Sequence, residues 1–175
     1  SEIMLQQTRV EAVKPYFQRF ITALPDVQAL SQCPQEQLLK LWEGLGYYSR
    51  AKNLQRAAKM VCEQYGGIFP SEYEAVRSLP GIGDYTAGAI LSIAFNQPYP
   101  AVDGNVLRVM ARLYGIQQDI MLPKTKTVIT DILTECYPKG LASDFAQSLM
   151  ELGAMVCIPQ TPRCGQCPIR DHCSA

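Results

Sequence analysis

The sequence has no excess of charge of either sign and no long apolar run. Its 175 residues carry 16 Lys and Arg against 16 Asp and Glu, so the formal net charge is zero. This balance excludes a globally basic nucleic-acid binder but remains compatible with a local basic patch. The lack of an apolar run of about 18 residues excludes a membrane-spanning helix, and the first residues carry no signal-peptide pattern.

Apolar and polar residues do not alternate as they do in strands. Apolar residues recur at helical spacing, and hydrophobic residues make up 47% of the chain, enough for a packed core. We therefore predict an all-α chain whose first helix runs from Glu2 to Lys14. The weakest seam lies at residues 96–100, which predicts two lobes, 1–97 and 98–175. Because the chain opens without methionine inside an apolar-rich segment, we expect a fragment of a longer protein.

Histidine occurs once, whereas there are seven cysteines. The odd number of cysteines argues against a simple disulfide framework. Four of them lie near the C-terminal end with the spacing C-x6-C-x2-C-x5-C: Cys157, Cys164, Cys167 and Cys173. Four thiolates with this spacing suit a tetrahedral zinc ion and an iron–sulfur cluster equally well. Clustered thiols beside unpaired ones indicate a reducing compartment.

A glycine-rich turn lies between two predicted helices, in LPGIGDYTAG at residues 79–88. Gly81 and Gly83 allow backbone conformations that are closed to other residues. The amides at the start of the following helix point outward, and such amides bind phosphate without needing net charge. Ordinary turns between helices have the same pattern, so the turn by itself leaves both interpretations open.

A basic segment, GLGYYSRAKNLQRAAK, covers residues 44–59 and contains no acidic residue. It carries two adjacent tyrosines and four basic residues: Tyr47, Tyr48, Arg50, Lys52, Arg56 and Lys59. Basic side chains beside exposed aromatics suit contact with a nucleic-acid backbone together with base stacking or wedging. Arg50 is our candidate for DNA contact here. A solvated helix face with two core tyrosines explains the pattern equally well.

Two carboxylates stand alone among apolar residues. Glu2 precedes Ile-Met-Leu, and Asp103 lies between Ala-Val and Gly-Asn-Val. Asp103 is typical of a helix N-cap, a role compatible with catalysis, and Glu2 is equally well an ordinary surface acid. From the residues alone we favour structural roles for both.

Three motifs occur together in one order: LPGIGDYTAG, then VDGNV about twenty residues later, then the four terminal cysteines. In this combination they resemble the helix-hairpin-helix DNA glycosylase superfamily of endonuclease III. The resemblance covers nearly the whole chain, from Glu2 to Cys173. Within the superfamily, the segments SEIMLQQT, GLGYYSR and MELGAMVC are similar to the MutY-type adenine DNA glycosylase branch.

The resemblance implies two helical lobes with double-stranded DNA in the cleft between them. One lobe is a helical barrel that carries the hairpin, and the other carries a 4Fe-4S cluster on the four terminal cysteines. It also implies removal of undamaged adenine mispaired with 8-oxoguanine or guanine. The competing interpretation is a non-catalytic module that binds duplex DNA and holds a structural metal cluster.

Because the branch it resembles has a further C-terminal domain that helps to recognise 8-oxoguanine, we expect that domain to be missing here. We also expect a monomeric protein of the cytoplasm, associated with the nucleoid.

The resemblance assigns catalytic roles, because a buried adenine must be flipped out and protonated before it leaves. By resemblance Glu2 is the general acid at N7 of adenine, with a pKa raised by burial. Asp103 stabilises the positive charge on the sugar, or traps it covalently, and Asn105 orients the site. Tyr85 stands where bifunctional relatives carry a Schiff-base lysine, so we predict a monofunctional glycosylase.

The resemblance also implies contacts with DNA. Gln7 and Tyr47 match residues that enter the duplex at the site of the opposite base. Gln147 matches a position near the flipped adenine. The backbone amides of Gly81 and Gly83 would hold phosphate.

Overall fold

The computed structural model describes residues 1–175, and all of its regular secondary structure is helical. The α-helices are α1 (Glu2–Leu5), α2 (Val10–Ala23), α3 (Val27–Gln32), α4 (Gln35–Trp42), α5 (Ser49–Tyr65), α6 (Tyr73–Arg77), α7 (Asp84–Phe95), α8 (Gly104–Leu113), α9 (Pro123–Cys136) and α10 (Ala142–Glu151). A π-helical turn and two 3₁₀ turns follow them: Leu152–Val156, Cys164–Gln166 and Arg170–His172. The all-α prediction is confirmed. None of the helices has the length and apolar character needed to span a membrane.

The chain divides into two compact units, Ser1–Thr86 and Ala87–Ala175, and the division falls within α7. The predicted seam at residues 96–100 therefore lies inside the second unit. Its first residue, Asn96, is fastened to the segment that leads into α10. The Asn96 amide donates to the carbonyl of Gly140 at 2.8 Å and accepts from the backbone N–H of Ser143 at 3.0 Å.

The core of the first unit is built around Trp42, whose side chain is fully buried at the end of α4. The ring of Phe20 meets it edge-on, with centroids 5.9 Å apart, a favoured arrangement of aromatic pairs. The Trp42 indole N–H donates to the carbonyl of Gly46 at 3.0 Å. Helix α5 packs against α3 and α4, and the short helix α1 packs against α2 and α5.

The first predicted helix, Glu2 to Lys14, is wrong, because α1 and α2 are separate helices. Between them Gln7 has a φ of +57°, a left-handed conformation that does not continue a helix. The cause is tertiary: the Arg50 guanidinium donates to three carbonyls near the end of α1, those of Ile3, Met4 and Gln6. These carbonyls would otherwise accept the amides of the next helical turn.

The core of the second unit surrounds α8, which packs against α9, α10 and the π-helical turn. Ile129 and Leu133 of α9 are fully buried there. The rings of Tyr137 and Phe145 meet edge-on at a centroid distance of 4.9 Å. Because the π-helical turn lies against α8, the chain that leaves α10 passes close to the residues at the start of α8.

Gly88 allows α7 to pass close to the segment that leads to α8, because a Cβ built there would overlap the carbonyl oxygen of Pro100. We expect Gly88→Ala to lower the free energy of unfolding by about 2 kcal/mol. Because the Cβ would lie 2.0 Å from a backbone oxygen, overpacking should cost about 3 kcal/mol, at the upper end of its usual range. The gain in helix propensity offsets only about 1 kcal/mol of this cost. Chemical denaturation measures the difference.

The matched control is Gly83→Ala, since a Cβ at Gly83 meets nothing within 4 Å and its φ is not in the left-handed region. Its free energy of unfolding should stay within about 0.5 kcal/mol of the wild type. Equal stability of the two variants would contradict the close approach at Gly88.

Candidate functional site

The turn between α6 and α7 is a β-turn from Leu79 to Ile82, closed by the Ile82 N–H donating to the Leu79 carbonyl at 3.1 Å. Gly81 has a φ of +82°, which a type II turn requires at its third residue. A Cβ at Gly81 would also lie 2.9 Å from the Cβ of Asn53. Gly83 has neither constraint, so the expectation that both glycines need special backbone conformations holds for Gly81 alone.

Arg77 braces this hairpin. Its Nε–H donates to the Asp84 carboxylate at 2.5 Å, and its Nη1 donates to the Ile82 carbonyl at 3.0 Å. The hydrogen bond from Arg77 lowers the pKa of Asp84. The carboxylate of Asp84 at the start of α7 is therefore paired with a positive charge. It repels an anion at the outward-facing amides of the helix less than an unpaired carboxylate would.

Contact of Arg50 with DNA requires this side chain to lie on the surface, but Arg50 is buried. Only 7% of the residue is exposed, and its guanidinium donates to the carbonyls of Ile3, Met4, Gln6, Leu45 and Gly46. The proposed contact of Arg50 with DNA does not fit this burial. The exposed basic residues of α5 are Lys52, Arg56 and Lys59, which lie on one helix face.

Gln7 and Tyr47 project from the two loops that Arg50 joins. Gln7 is exposed, and Tyr47 is 61% exposed. Both have left-handed backbones, with φ of +57° for Gln7 and +47° for Tyr47. Such conformations are costly for residues other than glycine and cluster at functional sites. The Arg50 guanidinium lies 5.3 Å from the centroid of the Tyr47 ring.

Glu2 lies half-buried in α1. Burial raises the pKa of the Glu2 carboxyl, and the neighbouring Ser1 ammonium opposes this shift in part. A carboxyl in this environment keeps its proton to a higher pH than a surface glutamate does, as a general acid requires.

Asp103 is the N-cap of α8, so the structural role that the residues favoured is confirmed. Its Oδ1 accepts the backbone N–H of Val106 at 2.8 Å, and its Oδ2 accepts the side-chain N–H of Asn105 at 3.0 Å. Both oxygens are thereby oriented, and capping leaves the carboxylate half-buried at the helix start. Asn105 holds Asp103 directly, which agrees with the orienting role that the resemblance implies.

The network continues through Arg108, which sequence reasoning missed. Its Nη2 donates to the Asn105 side-chain oxygen at 2.9 Å and to the Gly153 carbonyl at 2.8 Å, and its Nε donates to the Cys157 carbonyl at 2.8 Å. A Cβ at Gly153 would lie 2.6 Å from the Cβ of Asn105. Asp103 is thus joined through two side chains to the first cysteine of the terminal group. The glycine in MELGAMVC was the available signal for this contact.

The remaining candidates are Gln147 and Tyr85. Gln147 is exposed and its amide is bonded to Ser143, one turn back in α10. Tyr85 is half-buried in the first turn of α7. The first unit contains Glu2, Gln7, Tyr47, Arg50, Gly81, Gly83 and Tyr85, and the second contains Asp103, Asn105, Gln147, Cys157, Cys164, Cys167 and Cys173.

The four terminal cysteines are all free thiols in a segment that is tied to α8. Arg112 Nη1 donates to the Cys157 sulfur at 3.3 Å, and the Cys173 thiol donates to the Arg112 carbonyl at 3.6 Å. No group of three or more His, Cys, Asp or Glu side chains is gathered closely enough to hold a single metal ion. The donor set nevertheless fits, because four cysteine thiolates are what a 4Fe-4S cluster requires.

Comparisons with known proteins match two parts of the chain. Residues 1–139 match the HhH-GPD superfamily of base excision DNA repair proteins. Residues 157–173 match the iron–sulfur binding domain of endonuclease III. The second match covers all four terminal cysteines, so the prediction of an iron–sulfur cluster is confirmed over the zinc ion that the spacing left open.

Several curated relatives are adenine DNA glycosylases. The chain is 42% identical to the one from Buchnera aphidicola (subspecies Acyrthosiphon pisum), 43% to that of Schizosaccharomyces pombe and 43% to that of Homo sapiens. Each comparison covers 100% of this chain but 50%, 38% and 32% of the respective relative. The chain therefore spans half or less of the length of these relatives.

Solved structures share the fold. A thermostable thymine-DNA glycosylase superposes with a TM-score of 0.89 at 29% identity, over 99% of this chain and 80% of that one. A trapped covalent intermediate of endonuclease III with DNA superposes with a TM-score of 0.81 at 26% identity, over 98% and 79%. The predicted helix-hairpin-helix glycosylase fold is confirmed.

The iron–sulfur assignment predicts that Cys164→Ala yields protein with markedly less iron and sulfide and without the visible absorption of a cluster, because one of four thiolate ligands is lost. Cys136→Ser is the matched control, since Cys136 is exposed and lies outside the matched segment. Metal analysis and absorption spectra of the purified proteins test this. Equal iron content in the two variants would contradict the assignment.

Proposed function

Because the chain belongs to the HhH-GPD superfamily of base excision DNA repair proteins, we propose that it is a monofunctional adenine DNA glycosylase. It hydrolyses the N-glycosidic bond of adenine mispaired with 8-oxoguanine or guanine in double-stranded DNA. The observation that carries the proposal is the half-buried carboxyl of Glu2 with its raised pKa. It occurs in a chain about 40% identical to curated adenine DNA glycosylases.

Glu2 supplies the proton that adenine needs in order to leave. Once the nucleotide is flipped out of the duplex, the protonated carboxyl donates to N7 of the base. The bond between N9 and C1′ then breaks with its electron pair going to the base, which departs carrying that proton. Burial raises the pKa of the Glu2 carboxyl, so it holds its proton to a higher pH than a surface glutamate does.

Asp103 stabilises the positive charge that bond cleavage leaves on the sugar. Its carboxylate oxygens are held by the Val106 amide and the Asn105 side chain, so little reorganisation is needed when the charge develops. Water then adds its oxygen to C1′ and passes a proton to a carboxylate, which leaves an abasic site. Tyr85 cannot form a Schiff base as a lysine does, so the strand stays intact after base release.

The first unit engages the duplex. Gln7 and Tyr47 are exposed on loops held by Arg50, as side chains that wedge into a base stack must be. The hairpin at Gly81 offers backbone amides to a phosphate, and the basic face of α5 adjoins it through Asn53. A local basic face of this kind lets a chain of zero net charge bind DNA.

The second unit holds the iron–sulfur cluster on its four terminal cysteines. When bound, the cluster would join the four cysteines of this segment to one another. Arg108 connects Cys157 with Asn105, which in turn binds Asp103, so the position of the cysteine segment affects the orientation of the Asp103 carboxylate. We propose that the protein acts as a monomer in a reducing compartment. Its seven free cysteines support the reducing compartment.

Glu2→Gln and Asp103→Asn should each slow the release of adenine from a duplex with adenine opposite 8-oxoguanine. Each removes one ionisable carboxyl with little change of shape, and we expect a loss of about 10²–10⁴-fold, or roughly 3–5 kcal/mol of transition-state stabilisation. Single-turnover assays with alkaline cleavage of the abasic strand measure the rate. Without alkali the strand should remain intact.

Glu36→Gln is the control for these variants, because Glu36 is an exposed acid of α4 and its loss should leave the rate unchanged. A protein that binds duplex DNA but releases no base, with or without Glu2, would support the non-catalytic alternative instead.

The rate of adenine release should fall as the pH rises through the pKa of Glu2 in the folded protein. Since burial raises that pKa, the folded state favours the protonated carboxyl. The contribution of Glu2 to the free energy of unfolding is therefore largest at low pH. It is lost as the pH rises and the carboxyl gives up its proton. Single-turnover rates across pH in wild type and Glu2→Gln test this, and the high-pH limb should vanish in the variant. A wild-type rate that increases through the same range would contradict the assignment.

A further inference from the structure

Arg50 carries a buried charge that no carboxylate balances. Its hydrogen bonds all go to backbone carbonyls, and its Nε–H has no partner. Burial lowers the pKa of the Arg50 guanidinium, which still stays charged because an arginine remains protonated in proteins. Burying a charge without a counterion is expensive. A residue kept at this cost serves a need that an apolar side chain of similar size does not meet.

The guanidinium holds two loops with its two ends. Nη1 donates to Met4 at 2.8 Å and to Gln6 at 2.5 Å on the side of α1. Nη2 donates to Leu45 at 3.2 Å and to Gly46 at 3.3 Å on the side of α5. The planar fork of arginine suits such bridging, because its donors have fixed relative directions.

Each loop carries a projecting side chain directly after a carbonyl that Arg50 binds. Gln7 follows Gln6, and Tyr47 follows Gly46, and both projecting residues have left-handed backbones. Conformations of this kind persist only where surrounding contacts impose them. The Arg50 guanidinium also lies against the Tyr47 ring, so the same group fixes both the backbone before Tyr47 and the direction of its side chain.

The Gln7 loop is fastened to the hairpin as well. The Gln6 side chain donates to the Thr86 hydroxyl at 3.2 Å and to the Gly81 carbonyl at 3.5 Å. A chain of contacts therefore runs from the phosphate-facing turn through Gln6 to Arg50 and on to Tyr47.

We propose that Arg50 is a positioning residue that sets Gln7 and Tyr47 in one mutual geometry, and that this geometry determines how the protein distinguishes a mispair from normal duplex DNA. The inference rests on the proposed function, since it assigns both projecting side chains to the duplex. Neither side chain reads the mispair alone, because their spacing depends on the same guanidinium.

The test compares Arg50→Lys and Arg50→Met with the matched changes Arg56→Lys and Arg56→Met, on an exposed residue of the same helix. Lysine keeps the charge but loses the fork that reaches both loops. Amide hydrogen exchange on the free protein should quicken together in residues 6–9 and 46–49 of the Arg50 variants. The Arg56 variants should exchange like the wild type. Quickening in one segment alone, or in neither, would overturn the proposal.

The second measurement is the ratio of dissociation constants for a normal duplex and for a duplex with adenine opposite 8-oxoguanine. This ratio should fall about tenfold in Arg50→Lys, the effect of losing one charge-assisted contact. Tyr47→Ala should lower the ratio when it is made in the wild type. When it is added to Arg50→Lys it should lower the ratio hardly further, since Tyr47 is already displaced in that variant. Additive losses would contradict positioning through Arg50 and indicate a general structural role.

The two readouts separate failure of this inference from failure of the proposed function. If the wild type releases no adenine, the proposed function fails, while exchange on the free protein still decides whether Arg50 joins the two loops. If neither Arg50 variant unfolds cooperatively, neither is folded well enough to test. Amide hydrogen exchange of residues 6–9 and 46–49 in the wild type then tests whether Arg50 joins the two loops. The two segments must then open with similar free energies, and clearly different values would overturn the proposal.

Discussion

Backbone carbonyls at irregular helix ends need hydrogen-bond donors, and arginine side chains supply them in both units. Arg50 satisfies carbonyls at the end of α1 and in the loop before α5. Arg108 and Arg112 do the same for the π-helical turn and the chain that follows it. A buried carbonyl without a donor is costly, so these irregular segments depend on the arginines for their conformation.

The side chains proposed for catalysis lie beside these arginine-bound segments. Glu2 is on the helix whose last carbonyls Arg50 binds, and Asp103 is oriented by Asn105, which Arg108 binds in turn. Hydrogen bonds of this kind restrict the conformations of the loops, and a preorganised site needs such supporting contacts. The buried arginines bind backbone carbonyls, whereas the exposed basic residues of α5 lie on one helix face.

Local patterns predicted much of the fold and part of the site. Helical periodicity predicted the all-α chain, the cap by Asp103 followed from a local preference, and the spacing of four cysteines indicated a metal centre. The break after α1 was missed, because nothing within Glu2 to Lys14 signals it. Arg50 was misassigned for a related reason: a basic residue in a basic segment gives no sign that carbonyls distant in sequence surround it.

The sequence by itself determined that the chain is helical, where the hairpin turns at Gly81, and which thiols are available for the cluster. These features depend on neighbours along the chain, through periodicity, caps and glycine conformations. Only the tertiary structure decided that Arg50 is buried and that Gly153 lies against Asn105, and it showed the burial that raises the pKa of Glu2. Hydrogen bonding and desolvation act between residues that are close in space, and that proximity arises only when the chain has folded.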